Sequence, residues 1–234
     1  MRLRRAIAAV VALLAQLFGF AQLNTARVMD IGRNALYFED YVLSIQYFNK
    51  VIDAKPFLHE PYFYRGLAKY YLDDFVGAEM DLTSAINRNP YVARSYQLRG
   101  LCRASLDSLV LAEQDIRTGI KYDPQNINMW QNLAAVAMQA GEWEKAAGIV
   151  DSLLLFAPRN STAYVMRTQV AMNMQDTATA LEMAGKAVRC DKFSADVYDA
   201  RSMVYYAMGK YEEAETDLDK SIDLLPGRSG SYAN

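Results

Sequence analysis

The sequence predicts an all-α solenoid of about six helix-turn-helix units, and three observations carry that prediction. Prolines recur at one phase of a 34-residue period. Pro56, Pro90, Pro124 and Pro158 are evenly spaced, and Pro226 follows two periods later with Lys192 at the intervening place. Between prolines, an aromatic residue is followed four residues later by a small one. A second, alanine-marked helical pattern then fills the rest of each period. Self-similarity at a period of a few tens of residues marks a stacked repeat and takes precedence over local propensity.

The units run 25–58, 59–92, 93–126, 127–160, 161–194 and 195–228, and residues 229–234 open a seventh with Tyr232 at the aromatic place. The first helix of each unit starts just beyond the proline, which cannot continue the preceding helix. Its fourth place holds Tyr62, Tyr96, Trp130, Tyr164 or Tyr198, and its eighth Gly66, Gly100, Ala134, Thr168 or Ser202. Residues four apart share a helix face, so each aromatic lies one turn from a notch. Turn segments follow at Leu72–Phe75, Ala140–Trp143 and Met208–Tyr211, where Gly141 and Gly209 suit the left-handed backbone that ends a helix. In the second helix a small residue at place twenty (Ser44, Ala78, Ala112, Ala146, Ala180, Ala214) permits close approach. Bulk follows four residues on, at Phe48, Leu82, Ile116, Val150 and Leu218.

This phased pattern resembles the tetratricopeptide repeat family, from Thr25 to the end of the chain. The resemblance implies a right-handed α-α superhelix in which neighbouring units share one elongated core. Unit one departs in having Val28 at the aromatic place. Unit five departs furthest, with Lys192 for proline, Thr177 for the turn aromatic and Ala184 for bulk, and is expected to be the weakest joint.

Places seven and twenty-three suggest a recurring ion pair. Arg65, Arg99 and Arg201 each have an aspartate sixteen residues on (Asp81, Asp115, Asp217), whereas Arg167 faces Met183. An antiparallel hairpin turning near place fifteen brings the two places together.

In the family the first helices line a concave groove that holds extended or helical peptides. The groove places are then two, five, nine, twelve and thirteen. Transferred to this sequence, they give Met29, Arg33 and Tyr37 in unit one, and Phe63, Leu67, Tyr70 and Tyr71 in unit two. Gln97, Leu101, Gln131, Met138 and Gln139 follow in the middle, then Asp196, Asp199, Met203 and Tyr206. Several of these side chains alternatively pack on the adjacent repeat. The family's carboxylate clamp for chaperone C-termini is not matched, because its places hold Met29, Arg33, Gln97 and Leu101.

Residues 1–21 have the pattern of a secretory signal. Arg2, Arg4 and Arg5 precede an apolar run from Ala6 to Phe20, and Gly19 and Ala21 fit small-x-small cleavage before Gln22. The run is short for a membrane span, so no insertion is expected after cleavage, although a retained anchor is the alternative. Export to a periplasmic or extracellular space follows. Loss of the three arginines takes the net charge from −2 to about −5, which disfavours nucleic acid as a partner. Cys102 and Cys190 fall two units apart and fit no disulfide framework or zinc spacing.

His59 is the single histidine, so a histidine metal cluster is impossible. No nucleophile elbow, phosphate loop or helical HExxH pattern is present. The expectation is a non-enzymatic scaffold without cofactor that binds a protein or peptide in envelope or extracellular assembly. The alternatives are an accessory domain of a longer enzyme or sensor, and a structural spacer. An uncapped face on unit six is expected to favour self-association.

Overall fold

A computed structural model describes residues 24–225. The leader pattern at 1–21, Pro226 and the seventh-unit segment at 229–234 lie outside the described residues. Among the described residues there are twelve helices and no strand. They divide into two compact units, one up to Tyr91 and one from Val92.

The first unit holds α1 (Thr25–Tyr37), α2 (Tyr41–Ala54), α3 (Glu60–Tyr71) and α4 (Phe75–Arg88). The second holds α5 (Ala93–Ser105), α6 (Leu109–Tyr122), α7 (Ile127–Gln139) and α8 (Trp143–Phe156). It continues with α9 (Ser161–Asn173), α10 (Thr177–Cys190), α11 (Ala195–Ala207) and α12 (Tyr211–Leu224). Within each unit, consecutive helices pack on one another as hairpins, and first helices also touch the next first helix.

Short polar side chains start many of these helices. Asn24, Asp40, Asp74, Asn126, Asn160 and Asp176 each accept the backbone N–H three residues on, which satisfies a donor the helix cannot. Every intra-repeat turn has one left-handed residue at place fifteen. These are Glu39, Asp73, Asp107, Gly141, Gln175 and Gly209, with φ between 57° and 74°. The next N–H then closes on the carbonyl five residues back, as in Asp40 to Ala35 and Glu142 to Ala137 at 2.9 Å. This double-bonded helix end requires φ > 0 whatever residue stands there, so four of the six turns lack glycine and still adopt it.

The notch at place eight receives the bulk at place twenty-four. A Cβ added to Gly32 or Gly100 would lie 2.7 Å from Phe48 or Ile116 respectively, and one on Gly66 3.0 Å from Leu82. Phe48, Leu82, Ile116 and Val150 are fully buried, each contributing about 1.5–3 kcal/mol by leaving water. In the second unit one cluster of buried side chains runs from Ala104 through Ile116, Leu133 and Val150 to Val170. It crosses three repeats, as expected of hairpins that complete each other's cores.

The aromatic at place four has a second task. Tyr62, Trp130, Tyr164 and Tyr198 donate their polar tips to the carbonyls of Pro56, Pro124, Pro158 and Lys192, at 2.8–3.2 Å. The proline place therefore supplies an acceptor as well as a helix stop, and Lys192 supplies the same acceptor.

The paired places seven and twenty-three meet. Arg65 Nε donates to Asp81 at 2.8 Å, Arg99 Nε to Asp115 at 2.8 Å and Arg201 Nε to Asp217 at 2.7 Å, each with a second prong from Nη2. The three aspartates are buried. Asp217 holds the Arg201 guanidinium more basic than usual, a hydrogen bond that outweighs the opposing effect of burial. Arg167 departs from the sequence expectation. Its Nε donates to Asp151 of α8 at 3.0 Å, sixteen residues upstream. Arg65 likewise reaches back to Asn49 at 2.6 Å. Place seven thus lies between the second helix of its own repeat and that of the preceding one.

Candidate functional site

In the first unit, α1, the start of α2 and α3 enclose an open recess of about 390 Å³. Arg33, Tyr37, Tyr64, Leu67 and Tyr71 line it, joined by Leu36, Glu39 and Tyr41. Tyr41 and Tyr71 stack with centroids 5.1 Å apart and planes at 21°. Arg33 is fixed by Asp30, which accepts from its Nη2 at 2.5 Å, and its guanidinium lies 5.7 Å from the Tyr64 ring centroid. The Asp30 hydrogen bond raises the Arg33 pKa, so the group stays charged. Tyr37 is 80% exposed, with Phe38 edge-on beside it at 5.2 Å.

Among the described residues, no protein group hydrogen-bonds the hydroxyls of Tyr37, Tyr41 or Tyr71. Burial of the ring, then the nearby Glu39, raises the Tyr41 pKa, so that phenol keeps its proton and remains a donor. The lining therefore offers aromatic faces, phenolic donors and one charge of each sign.

A second recess, of about 480 Å³, lies within the second unit between α9 and α11. Thr162, Val165, Gln169, Asp196, Asp199 and Met203 line it, at places two, five and nine of units five and six. Its walls mix methyl groups with carboxylates.

The structure brings Arg33, Tyr37, Leu67 and Tyr71 together and puts Asp199 in the other recess. It corrects two expected groove residues. Met29 is 5% exposed and packs with Phe48 and Val51, because its unbranched side chain reaches the α1–α2 interior. Phe63 is 8% exposed and sits edge-on to Tyr64. Tyr70 is half-buried against Phe75, at 5.5 Å. Gln131 donates to the capping oxygen of Asn160 at 3.2 Å, which commits it to the α7–α9 packing. Gln97 is half-buried, with its backbone beside Gly119. Tyr41 and Tyr64 escaped the sequence reading. The recurring bulk at place seventeen (Tyr41, Phe75, Leu109, Trp143, Tyr211) was a signal for the first of them.

No group of three or more His, Cys, Asp or Glu side chains among the described residues could hold a metal ion. No described helix is long and apolar enough to cross a membrane.

Residues 195–228 match the tetratricopeptide repeat family model. That match covers one 34-residue repeat. Solved tetratricopeptide structures extend the likeness to most of the chain. A tetratricopeptide repeat protein from Parabacteroides merdae is 18% identical with a TM-score of 0.70, over 88% of this chain and 80% of its own. The C-terminal part of a TPR repeat-containing protein from Cytophaga hutchinsonii is 15% identical with a TM-score of 0.72, over 87% and 81%. YrrB, described as a TPR protein with an unusual peptide-binding site, is 17% identical with a TM-score of 0.57, over 76% and 92%. At these identities the likeness shows the all-α tetratricopeptide fold. No curated protein matches the chain.

Proposed function

We propose that this protein is an interaction scaffold whose first-unit recess takes a segment of a protein partner, in envelope or extracellular assembly. The observation that carries the reading is the gathering of Arg33, Tyr37, Tyr41, Tyr64, Leu67 and Tyr71 around one open recess. Aromatic side chains give large contact area at low entropic cost, and exposed clusters of them are suited to binding. The peptide-binding site in the description of YrrB is in keeping with that use of the fold. The basic and apolar pattern of residues 1–21 supports an exported location.

The test is a crosslinking capture from envelope extract with wild-type protein and with Tyr37→Ala and Tyr71→Ala. Tyr37 and Tyr71 are exposed, so both variants should fold. The reading expects specific partners with wild type and their loss with either variant. Equal capture by all three proteins contradicts it.

A further inference from the structure

Resting on the reading of the first-unit recess as a partner site, we infer that the segment it takes is basic as well as apolar, with cationic side chains against the carboxylates of the two hairpin turns. Glu39 of the first turn is itself part of the lining. Tyr41 stacks on Tyr71 at 5.1 Å, which sets the turn at 72–74 beside the turn at 38–40. Each turn exposes an apolar residue followed by two carboxylates, Phe38 with Glu39 and Asp40, and Leu72 with Asp73 and Asp74. In the second unit no turn carries a carboxylate at both of those places.

The two charges of the lining differ in one respect. Arg33 brings its own counterion, because its Nη2 donates to Asp30 at 2.5 Å. Glu39 makes no ion pair and accepts no side-chain hydrogen bond among the described residues, and neither does Asp73. Asp40 and Asp74 cap α2 and α4, and they too make no ion pair among the described residues. Lys69 is committed to Asp81 at 2.9 Å, and Lys50 lies over the Tyr47 ring at 5.0 Å. The mouth of the recess therefore has an excess of negative charge. An occupant strips water from Glu39, which is costly unless it supplies a cation in exchange. A purely apolar segment leaves that carboxylate unmatched, and an acidic one adds repulsion.

The probe is a short fluorescein-labelled peptide of alternating Lys and Leu, titrated into the full chain and followed by anisotropy. A Glu and Leu peptide of equal length serves as the comparison. Glu39→Gln combined with Asp73→Asn keeps side-chain size and removes both charges, and Asn tolerates the left-handed backbone at position 73. This double variant should bind the Lys peptide about tenfold more weakly and with less dependence on salt. Asp219→Asn combined with Asp223→Asn, at two exposed carboxylates of α12, should change binding by less than about twofold. Absence of Lys-peptide binding, equal losses from the two double variants, or a Glu peptide bound as tightly overturns the inference while leaving the scaffold reading intact. Equal envelope capture by wild type, Tyr37→Ala and Tyr71→Ala would overturn the scaffold reading itself.

Discussion

Asp115 accepts from two guanidinium groups at once, Arg99 from its own repeat's first helix at 2.7–2.8 Å and Arg103 one turn further at 2.9 Å. Its side chain is 6% exposed, and those of the two arginines 13% and 16%. Asp115→Ala deprives both cations of this carboxylate and should cost about 3–5 kcal/mol in urea unfolding. Arg99→Ala should cost clearly less, because Arg103 still neutralises the aspartate. Equal losses from the two substitutions would show that the pair is not shared in this way.

Place fifteen gives a second expectation. Gln175 holds φ 61° without the local hydrogen bonding that lets Asp or Asn tolerate that region. Gln175→Gly should therefore stabilise by about 1 kcal/mol, and Gly141→Ala, at φ 72°, should destabilise by a similar amount. Thermal midpoints of the two variants, moving in opposite directions, check this.

Lys192 stands where other repeats have proline. The preceding Asp191, at φ −146° and ψ 100°, matches Asn89 before Pro90 at φ −144° and ψ 97°. The preceding residue thus already has the extended conformation that proline requires of it. Lys192→Pro should raise stability by about 0.4–1 kcal/mol by restricting the unfolded chain. Hydrogen exchange should show the gain in α10 and α11, where Ala180, Ala184 and Val204 form a core of small side chains with Ala171 of α9.

Two glycines separate packing from propensity. A Cβ on Gly100 would meet Ile116 at 2.7 Å and the Ala112 carbonyl at 3.0 Å, whereas one on Gly148 of α8 meets nothing within 4 Å. Gly100→Ala should cost about 1–3 kcal/mol by overpacking. Gly148→Ala should gain up to about 1 kcal/mol through helix propensity. Denaturant midpoints distinguish the two.

Much of this architecture was legible because the repeat makes each position an average over six copies. The notch at place eight and the bulk at place twenty-four read as partners, and so did the Arg65–Asp81, Arg99–Asp115 and Arg201–Asp217 pairs. What failed depended on geometry that no residue type announces. Glu39 and Gln175 adopt left-handed backbone because the helix end closes its own hydrogen bonds there, at a conformational cost that the side chain does not reveal. Arg167 finds Asp151 because place seven touches two second helices, and sequence pairing within one repeat sees only one of them. Met29 and Phe63 fell on groove places by register, yet they are core because burial depends on how far each side chain reaches. Tyr41 joined the recess from the second helix, which a reading limited to first helices omits.

The most direct test of the binding account is site-specific photocrosslinking in the native host. A benzophenone side chain would replace Tyr37 in the recess or, as control, Val76, which is 58% exposed on α4. The account predicts a discrete protein adduct from position 37 and none from position 76. Adducts of equal yield from both positions, or from position 76 alone, would contradict it.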